Sequence, residues 1–164
     1  MGADGLVPLT ICGPSDFDSE DQVGVRAGIE AYHEDGRPEY TPLSTVTELV
    51  TVYRGDGAEA LLDETRAELT NCSDGGGDAT TYRSLGSMGL GDESILVRGS
   101  MPARGDDGEL SPDGGTRDDY VARIRVGDTV IELLFFGYES QSVKRADAEA
   151  LCRRAVGRVA GWRG

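Results

Sequence analysis

Residues Tyr120–Val126 and Thr129–Tyr138 read as the two arms of a β-hairpin, with Gly127-Asp128 as its tight turn. The second arm carries VIELLFFGY and is apolar on both faces except at Glu132. A strand of that kind belongs inside a sheet, because an edge position would leave one apolar row in water. The second arm is therefore predicted to be a central strand under helical cover.

The remaining elements fit around it. Val23, Val25, Ala27, Ile29 and Ala31 alternate with more polar residues, which predicts a strand with one buried face. A second strand runs from about Thr45 to Arg54, with Val46, Val50 and Val52 on one face. Gly55-Asp56-Gly57 breaks it, and Asp56 is placed to cap a helix. In that helix Ala58, Leu61, Leu62, Thr65, Leu69 and Cys72 share one face, and Ser73–Asp78 is its stop. Thr80–Leu85 and Ser94–Met101 read as short strands. Pro102–Asp119 is rich in Gly, Asp and Pro and is expected to be a mobile loop. Ala148, Leu151, Cys152, Ala155, Val156, Val159 and Trp162 mark a C-terminal amphipathic helix, and Arg145, Arg153, Arg154 and Arg158 occupy its polar side or last turns. The order predicts one α+β domain over residues 1–164: a mainly antiparallel sheet of about five to seven strands, with both amphipathic helices packed on one face.

Charge narrows the partners. The chain carries 30 Asp+Glu against 16 Lys+Arg, a net charge of −14. Such a field repels nucleic-acid phosphates and anionic membrane surfaces. No apolar run is long enough to span a bilayer. The start, MGADGLVPL, has neither a basic nor an apolar signal region, so an export signal or a membrane tether would have to precede it.

Three cysteines allow one internal bridge. Cys12–Cys72 is favoured, because Cys152 lies mid-helix on an apolar face where a thiol packs as a small hydrophobe. Cys72–Cys152 is the rival pair, and three reduced thiols are the alternative to any bridge. A bridge would point to an oxidising compartment.

No residue set carries a catalytic signature. His33 is the only histidine, stands beside Glu34 and Asp35, and has no nucleophile motif to serve. Asp16, Asp18 and Glu20 alternate like the start of a calcium loop, but Asp21 stands where glycine is required. Gly75-Gly76-Gly77 follows a helix and so is not a phosphate cradle. The reading is a non-enzyme with no cofactor and no metal. A cleft is expected where the sheet meets the long loop, near Tyr32, Tyr82, Arg98, Arg123 and Arg125. Arg123 and Arg125 share a strand face, and Arg98 could stand on a neighbouring strand. Clustered arginines can receive an anionic ligand; pairing with nearby acids is the plainer alternative.

Leu9–Cys12, Val50–Arg54, Glu68–Cys72, Ile124–Val130 and Asp147–Leu151 carry a resemblance to a known group. Together they resemble actinobacterial exported lipoproteins and the PknH-like extracellular sensor domain of mycobacterial serine/threonine kinases. The resemblance implies an extracytoplasmic domain, lipid-anchored or tethered, that binds a small ligand or cell-envelope component. A protein-interaction module partnering a membrane kinase or secretion component is the alternative.

Overall fold

The computed structural model describes residues 11, 21–32, 42–72, 80–105, 107–112, 114–138 and 141–162. Its strands are β1 (Gln22–Tyr32), β2 (Ser44–Tyr53), β3 (Thr81–Gly86), β4 (Glu93–Pro102), β5 (Thr116–Val126) and β6 (Thr129–Gly137). The helices are α1 (Gly57–Asn71) and α2 (Arg145–Trp162).

The hairpin forms where the pattern puts it. Val126 pairs with Thr129 across the turn. Gly127 takes φ 62°, a left-handed conformation that glycine adopts without a Cβ penalty. Its N–H donates to Asp92 Oδ2 at 2.6 Å, which ties the turn to the start of β4.

All six strands form one sheet in the order β1-β2-β6-β5-β4-β3, with every neighbouring pair antiparallel. The two hairpin arms are thus the central strands. After β2 the chain crosses the sheet through α1 to the far edge. It then returns strand by strand through β3, β4 and β5 until β6 pairs with β2.

The fold is α+β as expected, but the helices lie on opposite faces rather than one. Leu96, Ala122, Ile124, Ile131, Leu133 and Phe135 point to one side and pack against Ala148, Cys152, Ala155 and Val159 of α2. Val130 points to the other side, where it packs with Tyr53 and with Ala58, Leu61 and Leu62 of α1. On that second side Ile95, Val97 and Val121 gather Leu69 and the buried Ile11. The reason is that β4 and β6 carry apolar residues on both faces. Covering one face only would leave the other row in water, at a cost of about 25 cal/mol per Å² of apolar surface.

Four local readings also change. The loop after β4 is shorter than Pro102–Asp119, because β5 begins at Thr116 and pairs with Pro102. Between those strands Arg104 bridges Leu110, and Ala103 exchanges backbone hydrogen bonds with Ser111 and Gly115. The apolar row of β1 is not buried: Val23 is 50% exposed and Ile29 76%. Here β1 is the sheet edge, and α1 packs on β2, β3 and β5 instead. Asp56 sits at the start of α1, but its carboxylate makes no capping bond; its carbonyl accepts from the N–H groups of Glu59 and Ala60. Trp162 is 63% exposed rather than part of the core.

A candidate ligand groove between the second helix and the sheet edge

Helix α2 covers β5 and β6, and its flank faces the open side of β1 and β2. Lys144, Asp147, Leu151, Arg154, Arg158 and Trp162 recur every three or four residues and so form one stripe. Opposite them, the antiparallel register turns Arg26, Gly28, Glu30 and Tyr32 of β1 to the same side as Ser44, Val46, Glu48 and Val50 of β2. The two rows bound a groove.

The groove is a chain of three hollows. The first, about 420 Å³, lies between Arg26, Val50, Val159 and Trp162. The second, about 230 Å³, shares Gly28, Glu48 and Arg158 with the first. The third is the largest, about 530 Å³, and shares Tyr32, Val46, Leu151 and Arg154 with the second. Seven residues of strand from Arg26 to Tyr32 give the groove a length of roughly 20 Å at 3.3 Å per residue. Hollows of this combined size are in the range that holds small ligands.

Its floor is apolar and its rim is charged. Arg158 Nη2 donates to Glu48 Oε1 at 2.6 Å, bridging α2 to β2 across the middle. The Arg26 guanidinium lies 6.0 Å from the Trp162 ring centroid, a cation–π contact at one end. The Tyr32 hydroxyl donates to Glu30 Oε2 at 3.3 Å. Burial raises the pKa of Tyr32 and Glu30 raises it further, while Arg154 and Arg158 pull it down. Those opposing effects place both arginines within electrostatic reach of the hydroxyl. Among the described residues, Arg154 and Lys144 have no carboxylate partner.

Of the five residues expected to form a cleft, only Tyr32 lies in this groove. Arg98 faces the α2 side, directly opposite Tyr120, with its Nη1 3.8 Å from Asp118 Oδ2. Arg145 and Glu149 act on the same Tyr120 hydroxyl, so Arg98 stands at the other flank of α2. Arg123 and Arg125 do share a face, but it is the α1 face. Arg123 is buried, with Nε 3.1 Å from Glu132 Oε1, and Arg125 is paired with Asp92 and Glu93. Tyr82 packs on the α1 side with Ile95, Val97 and Val121, at the opposite edge from Tyr32. The five therefore occupy two faces and both edges of the sheet. Arg26, Lys144, Arg154, Arg158 and Trp162 were not singled out as site residues. Their signal in the sequence is the recurrence of Arg154, Arg158 and Trp162 along one helical stripe, which does not say what the stripe faces.

Cys152 is a free, buried thiol, so neither pairing that would use it forms. Cys12, His33, Asp16, Asp18, Glu20 and the triple glycine lie outside the described residues.

No family model matches the sequence, and no curated protein matches it. Among solved structures, the extracellular domain of PknH from Mycobacterium tuberculosis superposes with a TM-score of 0.54 at 16% identity. The match covers 84% of this chain and 66% of that one. This chain shares that domain's fold. It spans just under two thirds of the neighbour's length.

Proposed function

We propose that this chain is a non-catalytic extracytoplasmic domain that binds a small ligand or cell-envelope component in the groove between α2 and the β1–β2 edge. The groove itself carries the reading: three adjoining hollows that share lining residues, apolar at both ends and with charged groups along the rim. The shared fold with an extracellular domain supports the location. So does cysteine usage. Cys72 is disulfide-bonded and Cys152 is free, which favours the Cys12–Cys72 staple. Ile11 supports the same pairing, since it packs in one cluster with Leu69, one turn before Cys72.

Trp162 is the single tryptophan and lines the first hollow, so its emission reports on occupancy at that end of the groove. Envelope lipids, glycans and peptides are screened for a blue shift together with a rise in melting temperature. Gly28 offers a clean block, because a Cβ there meets nothing within 4 Å. Gly28→Phe is expected to fold normally and to abolish the response. A full response in that variant would show that binding occurs elsewhere.

A second reading, a protein-interaction module for a membrane kinase or secretion component, is favoured by one observation. Strand β1 is an eleven-residue sheet edge whose Ile29 is 76% exposed, and such edges accept a further strand. Val23→Lys, on the same edge but lining none of the three hollows, would then remove partner binding and leave ligand binding intact.

A further inference from the structure

Resting on the groove reading above, we propose that the ligand is an anionic amphiphile: a single apolar chain in the largest hollow, with its carboxylate or phosphate on Arg154. Three observations converge on it. The hollow of about 530 Å³ is walled by Leu43, Val46, Phe135, Val143, Ala148 and Leu151. Such a surface favours alkyl groups, each buried methylene contributing about 0.8 kcal/mol. Arg154 lines both this hollow and the next one, so it stands at their junction, where a chain lying in the hollow would present its head.

The charge pattern supplies the third observation. The groove holds Arg26, Lys144, Arg154 and Arg158 against Glu30, Glu48 and Asp147, an excess of one positive charge in a chain of net −14. Carboxylates outnumber cations almost two to one in the sequence. An arginine with no carboxylate partner among the described residues, at the mouth of an apolar hollow, is therefore against the overall bias. Arg158 is held by Glu48 and Arg26 lies over Trp162, while Arg154 makes no such contact among the described residues. Its planar guanidinium suits carboxylate and phosphate alike. A neutral head would accept only a weaker hydrogen bond from Arg154, and Lys144 at the far side of the hollow would repel a cationic one.

Displacement of dansyl-labelled undecanoic acid from the full chain tests this. Palmitate and a monoacyl glycerol phosphate separate the two head groups; hexadecanol supplies the same chain without charge. At least one anion is expected to bind roughly tenfold or more tightly than hexadecanol, as a hydrogen bond to a charged group implies. Arg154→Gln is expected to erase that advantage and leave hexadecanol unchanged, with Arg154→Lys recovering part of it. Ala150→Phe, an exposed position lining the same hollow, is expected to weaken every amphiphile. Circular dichroism confirms that the variants fold. Equal binding of anion and alcohol, or an unchanged Arg154→Gln, overturns the anionic assignment. The groove reading survives that result if Ala150→Phe still excludes hexadecanol. Failure of every amphiphile to bind overturns the proposal too, and the Trp162 screen then decides the groove by itself.

Discussion

Arg123 and Glu132 stand directly opposite each other on β5 and β6, with Arg123 Nε donating to Glu132 Oε1 at 3.1 Å and both side chains 1% exposed. From above, α1 contributes the Thr65 hydroxyl, which accepts from Arg123 Nη1 and itself donates to the Leu61 carbonyl at 2.7 Å. Glu68 Oε2 lies 3.7 Å from the same guanidinium. One buried ion pair thus fixes how α1 sits on the two central strands.

Removing one partner should cost far more than removing both. Arg123→Met leaves Glu132 as a buried, uncompensated carboxylate, and a loss of about 3–5 kcal/mol is expected. Arg123→Met combined with Glu132→Leu should recover most of that loss, because an apolar pair needs no desolvation. Urea unfolding of the three proteins measures it. A double variant as unstable as the single one would mean that geometry, not charge, sets the cost.

Cys152 should be chemically silent while the protein is folded. Burial, followed by the nearby Glu149 charge, pushes its thiol up to about 12. A thiol reagent at about pH 8, near the ordinary thiol value, should leave the native protein unmodified and label Cys152 only on unfolding. Peptide mapping without reduction should recover Cys12 joined to Cys72. Reduction should then lower stability by about 4 kcal/mol, the chain-entropy value for a loop of that length. Rapid labelling of the native protein at all three cysteines would refute both statements.

Asp119 should make part of the stability depend on pH. Its carboxylate accepts from the Gly137 N–H at 2.9 Å and from Arg117 at 3.3 Å. Burial outweighs both contacts and raises its pKa above the ordinary 3.8. The folded state therefore binds the proton more tightly than the unfolded chain. That contribution is fully present below the unfolded value and is lost as pH rises through the folded one. Melting temperature should accordingly climb as the solution is acidified from neutrality toward 3.8, the ordinary value for this carboxyl. The climb should be shallower in Asp119→Asn, which keeps an acceptor for Gly137. An identical profile in both proteins would rule Asp119 out as a contributor.

Much of the architecture was legible because it rests on local pattern. Period-two alternation located the strands, Gly127-Asp128 located the turn, and helical spacing located Ala58–Thr65 and Ala148–Val159 as buried stripes. The errors share a cause. Alternation tells that two sides of β1 differ, but not which side a neighbour covers; its apolar row, with Ile29, turned out to be exposed. Arg123 looked like a surface cation by residue type, yet Glu132 opposite and Thr65 above make its burial tolerable. The groove was invisible for a similar reason. Gly28 on β1, Val46 on β2 and Arg154 on α2 are far apart in sequence, and nothing local links them.

The sequence by itself determined the elements, their class and the central place of β6, because backbone preference and apolar periodicity act within a few residues. Only the tertiary structure decided that the helices take opposite faces and that α2 leaves a groove beside β1. Those choices depend on which long-range surfaces meet. Apolar burial is non-directional, so a pattern can demand cover for β5 and β6 without saying which helix supplies it on which side.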